Sequence, residues 1–208
     1  MAIDLTALCR LRPYLYHLTA RANLPRIARL RRLDSAAALL VQARRQELLR
    51  QRRRAKCEVA IEDEVVLIRD QAPLHQGNML LDGMTFEDFV AHLNSHVFFW
   101  PGREYGPIPH GVRHYERYAD ETPGILRART SEILSANPTA APSFCRFNSG
   151  SPRWNRGRPS PRSANTFSSA TTADFREGAI IEVTFSESVT LPQQAEVADS
   201  PYGPWRAF

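Results

Sequence analysis

The feature that most constrains the fold of this chain is a series of short apolar runs of strand length. The clearest is AIIEVTF at residues 179–185, which alternates in polarity and is rich in β-branched residues, a pattern typical of a strand. Similar runs occupy residues 14–18, 58–68, 97–100 and 124–130. Because short helical segments lie between them, the runs predict one α+β domain over residues 1–208.

Helices are expected between these runs. Asn23 and Pro25 suit the start of a short helix, and Thr85 with Asp88 has the pattern of a capping box before an amphipathic helix over residues 85–96. Residues 34–56 consist largely of good helix formers, which predicts one long arginine-rich helix over this segment. Shorter helices are expected over residues 111–120 and 131–137.

Positive charge is concentrated at the start of the chain. Of the 27 basic residues 26 are arginine; residues 1–60 carry 14 basic and 4 acidic side chains, whereas residues 61–125 carry 4 basic and 11 acidic ones. A basic segment of this kind permits binding to a polyanion such as nucleic acid. It equally permits a solvated helix face, and composition leaves both interpretations open.

Composition also disfavours several classes of protein. No run reaches the roughly 18 apolar residues that a membrane-spanning helix requires, and the first residues lack the pattern of a secretory signal. The three cysteines, Cys9, Cys57 and Cys145, are odd in number and far apart, which fits a reducing compartment. We therefore expect a cytoplasmic protein with no membrane partner.

Common catalytic and metal-binding motifs are absent from the sequence, including the P-loop, the dinucleotide-binding glycine motif and paired cysteines. Two histidine pairs, His92 with His96 and His110 with His114, have the i, i+4 spacing of metal ligands, but no third ligand lies nearby. A packing or surface role is therefore the better prediction for both pairs. Cys145 lies beside an arginine and is expected to be buried and inert rather than nucleophilic.

A dispersed set of polar residues has the chemistry needed for a reaction at a ribose C1′ carbon. His17 and Thr19, at the end of an early strand, can hydrogen-bond a polar ligand, and Asn23 follows them. Arg69 can bind a diphosphate through its planar guanidinium. Glu182, on the AIIEVTF strand, can orient a ribose hydroxyl and stabilise the positive charge that develops at C1′. Transfer from NAD requires these groups and needs no metal.

The order of these motifs resembles that of DarT-type ADP-ribosyltransferase toxins. The resemblance rests on YHLT and NLPRI within residues 16–27, on Ile68-Arg69-Asp70, on VFFWP at residues 97–101 and on EVTF at residues 182–185. The motifs are short and extend over most of residues 14–192. The chain also resembles a group of bacterial proteins of unknown function that share its FFWPG and FCR-NSGSPR stretches.

The resemblance implies a split antiparallel β-sheet sandwich with flanking helices, an ADP-ribosyltransferase-like fold with NAD in its central cleft. It implies that Glu182 and Arg69 are catalytic. It further implies that His17 and Thr19 bind the nicotinamide-side ribose or amide, and that Asn23 supports this cofactor-binding set. NAD is then a substrate, no metal is required, and an antitoxin or a hydrolase that opposes the activity is an expected partner.

The segment ahead of the Glu182 strand, residues 147–172, is rich in serine, proline and arginine and is predicted to be an irregular loop. In ADP-ribosyltransferases the corresponding loop recognises the acceptor. Arginines interleaved with aromatic residues suit phosphate contacts and base stacking, which predicts binding to DNA or RNA by Arg153, Trp154, Arg156, Arg158 and Arg162. A disordered surface loop is the alternative. A proline-rich tail follows from residue 189.

Three functions stay open at this point. The first is a DarT-like, NAD-dependent mono-ADP-ribosyltransferase that modifies nucleic acid. The second is a non-catalytic nucleic-acid-binding module on the same scaffold, and the third is an NAD glycohydrolase, in which water replaces the acceptor. Both NAD-dependent functions require His17, Arg69 and Glu182 to converge on one cleft.

Overall fold

The computed structural model describes residues 2–121, 123–151, 154–155 and 158–208. Its α-helices are α1 (Leu5–Leu11), α2 (Leu24–Leu30), α3 (Ala36–Gln42), α4 (Phe86–Asn94), α5 (Pro109–Arg117) and α6 (Thr130–Ala136). Short 3-10 helices occupy Arg21–Asn23, Gln46–Leu48, Gln76–Asn78, Ala119–Glu121, Ala164–Thr166 and Glu177–Ala179. The capping box predicted from Thr85 and Asp88 is confirmed at the start of α4.

The strands are β1 (Tyr14–Ala20), β2 (Arg32–Asp34), β3 (Cys57–Ile61), β4 (Glu64–Ile68), β5 (Leu80–Leu81), β6 (His96–Arg103), β7 (Gly106–Pro107), β8 (Pro123–Arg129), β9 (Ser143–Cys145), β10 (Trp154–Asn155), β11 (Arg158–Pro159), β12 (Pro161–Arg162), β13 (Ser168–Ser169), β14 (Glu182–Ser186), β15 (Ser188–Thr190), β16 (Glu196–Ala198) and β17 (Arg206–Ala207). The main sheet runs in the order β13-β9-β14-β6-β1-β8-β16-β17, and β7 pairs with β6. Its strands pair antiparallel, so the predicted α+β class is confirmed.

Strand β6 changes its pairing partner half-way along its length. Residues 96–99 pair with β14, where Val183 lies opposite Phe99, whereas residues 100–102 pair with β1, where Tyr16 lies opposite Trp100. The last four residues of β1 continue their pairing only with β8. The backbones of β1 and β14 therefore separate on either side of this switch, and a cleft opens beside β6.

The predicted long helix over residues 34–56 is wrong, because α3 ends at Gln42. Arg44 adopts a left-handed backbone conformation (φ 55°), which an α-helix cannot continue. Beyond it, Leu48 and Leu49 pack with Leu40 against the β3–β4 hairpin. The free energy gained by burying this apolar cluster outweighs the helix propensity of the residues after Gln42. These residues therefore leave the helix and lie against the hairpin.

Two glycines allow close packing around β6. A Cβ atom on Gly102 would lie 2.4 Å from the Gly106 carbonyl oxygen, so the strand can turn into β7 only without a side chain there. The strand therefore runs through Pro101-Gly102 to Arg103, beyond the apolar run predicted at residues 97–100. A Cβ atom on Gly111 would lie 2.9 Å from Trp100, and its absence lets α5 lie directly on β6.

The largest apolar cluster packs α1 and α2 against the sheet and includes Leu15, Phe99 and Phe185. A second cluster joins α4 to Phe167 and Cys145. Among the described residues, no helix has the length and apolar character needed to cross a membrane.

Candidate functional site

The cleft beside β6 contains a cavity of about 270 Å³, hereafter the first cavity. Its walls come from β1, β4, β6, α5 and the start of β14, elements that are far apart in sequence. All five residues that the sequence singled out for NAD chemistry lie on these walls: His17, Thr19, Asn23, Arg69 and Glu182. The division of the sheet at β6 is what brings them together.

His17 occupies the point where β1 and β6 stop pairing. Its Nδ1 atom lies 2.9 Å from the Phe98 carbonyl oxygen, which can only accept a hydrogen bond. The proton is therefore on Nδ1. Burial lowers the pKa of His17 to about 4, so the ring is neutral at pH 7 and its Nε2 atom is a hydrogen-bond acceptor.

Arg69 holds a largely buried positive charge on the wall of the first cavity. Its side chain is 16% exposed, and its guanidinium carbon lies 4.5 Å from the centre of the Tyr118 ring. One terminal nitrogen, Nη2, donates to the Thr19 carbonyl at 3.2 Å. Its Nε and Nη1 atoms are buried and have no hydrogen-bond partner among the described residues, and Nη1 lies 3.6 Å from a carboxylate oxygen of Glu121 in an ion pair. Because buried donors are normally satisfied, Arg69 has the capacity to bind an anionic ligand.

Arg53 is a second cation on the same wall, and only its place in an arginine run could have pointed to it in the sequence. Its Nε donates to the Arg69 carbonyl at 2.8 Å and its Nη1 to the Asn94 side chain at 2.8 Å. Burial lowers the pKa of Arg53 to about 10, so it stays cationic at neutral pH. Arg53 fixes the backbone of Arg69 and adds positive potential to the first cavity.

Glu182 is the most buried of the three described carboxylates that line the first cavity, with 3% of the residue exposed; the others are Asp34 and Asp70. Both carboxylate oxygens lie 3.2 Å from the Ser149 backbone nitrogen, which donates to them. Burial is the main cause that raises the pKa of Glu182 to about 7, against the lowering effect of Ser149 and Arg162. The group therefore gains and loses its proton near physiological pH, a property common in functional carboxylates.

Arg162 has a different role from the one predicted for it. It is fully buried (0% exposed), and its guanidinium donates to the carbonyl groups of Ser149 and Ser151 at 3.1 and 2.6 Å. It also lies 4.0 Å from the centre of the Phe147 ring. Arg162 is therefore not available to nucleic acid; it holds the turn that presents the Ser149 N–H to Glu182.

The other four residues that were predicted to bind nucleic acid lie wholly or partly outside the part of the chain that the structure describes. Arg153 and Arg156 lie outside the described residues, as do the side chains of Trp154 and Arg158. Their binding to DNA or RNA stays a prediction.

Asn23 and Thr19 support the cleft. The Asn23 side-chain nitrogen donates to the Leu67 carbonyl at 2.8 Å and to the Thr19 hydroxyl at 3.3 Å, and its side-chain oxygen accepts from the Leu67 N–H at 2.9 Å. These bonds tie the end of β1 to β4, the strand that leads to Arg69. The amide of Asn23 is thus already engaged in positioning, whereas direct contact of Asn23 or Thr19 with a cofactor stays a prediction.

A comparison with known protein families finds one match, which covers most of the chain. A model described as "Family of unknown function (DUF7002)" matches residues 13–195, which include β1, β6, β14 and the whole first cavity. The chain belongs to the DUF7002 family. No curated protein and no solved structure matches it.

Three of the four histidines in the two pairs of this DUF7002 chain pack against described aromatic rings. The His92 and His96 rings lie 5.0 Å apart, and each stacks on Phe167. His114 lies between Trp100 and Tyr118. Within the part of the chain that the structure describes, no group of three or more histidine, cysteine, aspartate or glutamate residues could hold a metal ion.

Cys145 pairs with Glu182 across β9 and β14 and is buried at 1% exposure, as predicted. Burial raises the pKa of its thiol, which therefore stays protonated. In this DUF7002 chain the first cavity thus combines two cations, Arg53 and Arg69, with the neutral His17 and the buried Glu182, and its lining also includes Asp34 and Asp70.

Proposed function

We propose that this protein transfers ADP-ribose from NAD and that the reaction takes place in the first cavity. The observation that carries this proposal is the convergence of His17, Arg69 and Glu182 on one cleft from three separate strands or strand ends. Each of these groups has a distinct chemical environment that suits one part of the NAD molecule. The division of the sheet at β6 also supports the sandwich arrangement that the resemblance to ADP-ribosyltransferases implies.

The cation on Arg69 is suited to the diphosphate of NAD. Its buried Nε and Nη1 atoms, which lack hydrogen-bond partners among the described residues, would donate to phosphate oxygens, and Nη1 would exchange its 3.6 Å ion pair with Glu121 for the phosphate. Stacking on Tyr118 fixes the plane of the guanidinium. The neutral His17 would accept a hydrogen bond through Nε2 from the carboxamide or from a hydroxyl of the adjoining ribose. A cavity of about 270 Å³ suits the nicotinamide-ribose end of the molecule, with the rest of NAD extending beyond it.

Glu182 would stabilise the reacting centre. In the transfer, the bond between ribose C1′ and the nicotinamide nitrogen breaks, and nicotinamide leaves as a neutral pyridine with the bonding electron pair. The ionised carboxylate of Glu182 accepts a hydrogen bond from the ribose 2′-hydroxyl and offsets the positive charge that develops at C1′. The acceptor's nucleophilic atom then bonds to C1′ and releases its proton, for which the carboxylate is a base of suitable pKa.

The test uses NAD labelled separately on the nicotinamide and on the adenylate phosphate. We expect the wild-type protein to release nicotinamide and to attach the second label to a macromolecular acceptor from a cell extract. Glu182→Gln should reduce release at least 100-fold, because the neutral amide cannot offset charge at C1′. Glu187→Gln is the matched control, since Glu187 is exposed, lies just after β14 and should retain full activity.

Each outcome has a definite reading. If nicotinamide is released but no acceptor is labelled, the protein is an NAD glycohydrolase that uses the same site, and not a transferase. No release by the wild type, or equal release by Glu182→Gln, would contradict the proposal. A cytoplasmic location stays a prediction from composition, and an opposing antitoxin or hydrolase stays a prediction from the resemblance.

A further inference from the structure

The last turn of helix α5 reaches the wall of the first cavity that carries Arg69. Helix α5 lies directly on β6 at Gly111, and Tyr118 is the residue at its C-terminal cap. His114 and Tyr118 are four positions apart, so they share one face of the helix. The centre of the His114 ring lies 5.4 Å from that of Trp100 on β6 and 5.2 Å from that of Tyr118. This row of three rings fixes Tyr118 relative to the main sheet.

Tyr118 is in contact with two consecutive residues of the cavity wall. It is 4% exposed, and the guanidinium carbon of Arg69 lies 4.5 Å from the centre of its ring. Its hydroxyl donates to a carboxylate oxygen of Asp70 at 3.0 Å. Burial is the main cause that raises the pKa of Tyr118 to about 12, so the hydroxyl stays protonated at neutral pH and keeps donating. The same oxygen of Asp70 accepts from the Ala72 N–H at 2.7 Å, which holds the carboxylate in place.

Arg69, Asp70 and Tyr118 therefore form a closed loop of contacts. Asp70 follows Arg69 in the chain and binds the hydroxyl of Tyr118, whose ring stacks on the guanidinium of Arg69. A mobile arginine side chain has to be ordered when it binds a ligand, and the entropy lost reduces the affinity. Here the guanidinium is ordered before a ligand binds. Its Nε and Nη1 atoms, which have no hydrogen-bond partner among the described residues, are presented in one orientation.

Glu121 competes for the same guanidinium. It lies in the 3-10 helix that follows α5, and its carboxylate oxygen is 3.6 Å from Nη1 of Arg69, which is too long for a hydrogen bond. The Glu121 side chain is 36% exposed and that of Arg69 is 16% exposed. The carboxylate can therefore turn into solvent while the guanidinium stays in place. Removal of the Glu121 charge should have the opposite effect on anion binding from removal of the Tyr118 ring.

We propose that Tyr118 and Asp70 are positioning residues, which hold Arg69 in one orientation and so set the affinity of the first cavity for a diphosphate. The inference rests on the proposed function for its ligand, because the diphosphate is that of NAD. Binding of a diphosphate is measurable without the transfer reaction, so the positioning role and the proposed function can fail separately.

The test measures the affinity of the full chain for ADP-ribose by calorimetry. ADP-ribose has the diphosphate of NAD but no nicotinamide, so it binds without turnover. Tyr118→Leu should bind it about 10-fold more weakly, because the guanidinium is no longer held in one plane. Tyr118→Phe keeps the ring and loses only the bond to Asp70, so its affinity should fall about 3-fold. Glu121→Gln should bind ADP-ribose about 3-fold more tightly, because a half-exposed ion pair no longer competes.

Tyr115 provides the matched control. It lies on the same helix, its hydroxyl donates to the Asp199 carbonyl, and it is not among the described residues that line the first cavity. Tyr115→Leu and Tyr115→Phe should lower the melting temperature to a similar extent as the Tyr118 variants but keep the wild-type affinity for ADP-ribose.

The kinetics of nicotinamide release separate positioning from a merely structural role. Tyr118→Phe should raise the KM for NAD about 3-fold with kcat unchanged, because the substrate and the transition state lose the same diphosphate contact. A loss of folded protein would instead lower the apparent kcat and leave KM unchanged, which would contradict the positioning role.

The remaining outcomes are also decisive. Wild-type affinity in Tyr118→Leu, an equal loss of affinity in Tyr115→Leu, or no gain in Glu121→Gln would overturn the inference, as would the absence of ADP-ribose binding by the wild type. Nicotinamide release by the wild type would leave the proposed function intact in each of the first three cases. If ADP-ribose affinity depends on Tyr118 as expected but the wild type releases no nicotinamide, the positioning role stands and the proposed function fails.

Discussion

The first cavity and a second cavity beside it, which is lined by Arg113 and Arg117 of α5, present positive charge in opposite ways. In the first, Arg69 and Arg53 are largely buried and are fixed by carbonyl groups, an amide and the Tyr118 ring. In the second, both arginines are exposed and have no fixed partner among the described residues. Buried, oriented charges favour one ligand geometry and are little affected by salt, whereas exposed charges attract a polyanion and are screened. The first arrangement suits one ligand held in a fixed geometry, and the second favours no single geometry.

The reaction in the first cavity should respond to pH, whereas the affinity of its buried arginines for a diphosphate should not. Because the pKa of Glu182 is raised to about 7, we expect nicotinamide release to fall about 100-fold from pH 8 to pH 5 as the carboxylate gains a proton. Affinity for ADP-ribose should not follow this curve, because Arg69 and Arg53 stay protonated. Initial rates at saturating NAD, measured alongside ADP-ribose binding, check the prediction.

The loss of activity at low pH should not arise from unfolding caused by protonation of Glu182. The pKa of Glu182 is higher in the folded protein than in the unfolded chain, so folding favours its protonated form. Its contribution to stability is fully present below about pH 4.5 and is lost as the pH rises through about 7. Circular dichroism should thus show a folded protein at pH 5. A rate that is constant from pH 5 to pH 8 would contradict the assignment of Glu182.

Substitution of Arg162 should have a smaller effect, and that effect should be confined to the reaction in the first cavity. Arg162→Gln should lower nicotinamide release about 10-fold and move the midpoint of its pH profile above 7, because both the Ser149 N–H and the Arg162 charge lower the pKa of Glu182. The unpaired carbonyls should also reduce the free energy of unfolding by about 2 kcal/mol. Arg162→Lys restores the charge and should return the midpoint part of the way. A less stable protein with an unchanged pH midpoint would make the role of Arg162 purely structural.

The sequence predicted the four central strands of the main sheet and most of the α-helices, but it was wrong about the length of α3. Apolar runs located β1, β4, β6, β8 and β14, because the burial of alternating side chains is a local signal. The long helix after Ser35 was wrong because residues 48 and 49 pack against a hairpin that lies later in the chain. Contacts of that kind depend on the tertiary structure, and helix propensity does not contain them.

The candidate site was predictable in its residues and not in its geometry. Motif order pointed to His17, Arg69 and Glu182, and the structure places all three on one cavity. The change of pairing partner within β6 that creates the cleft has no sequence signature. Arg162 was predicted to bind nucleic acid, because an arginine beside prolines and serines in an irregular segment gives no indication that carbonyl groups will surround it.

The most direct test of the central claim is a calorimetric titration of NAD into the wild-type protein and into Arg69→Gln, with Arg54→Gln, at an exposed arginine outside the first cavity, as the control. Nε and Nη1 of Arg69 are buried and have no hydrogen-bond partner among the described residues, and Nη1 has only the 3.6 Å ion pair with Glu121, so we predict one NAD site per chain in the wild type and in the control. The affinity should fall at least 10-fold in Arg69→Gln, because the neutral side chain loses the charge-assisted bonds to the diphosphate. The absence of NAD binding by the wild type, or equal affinity in Arg69→Gln, would contradict the account.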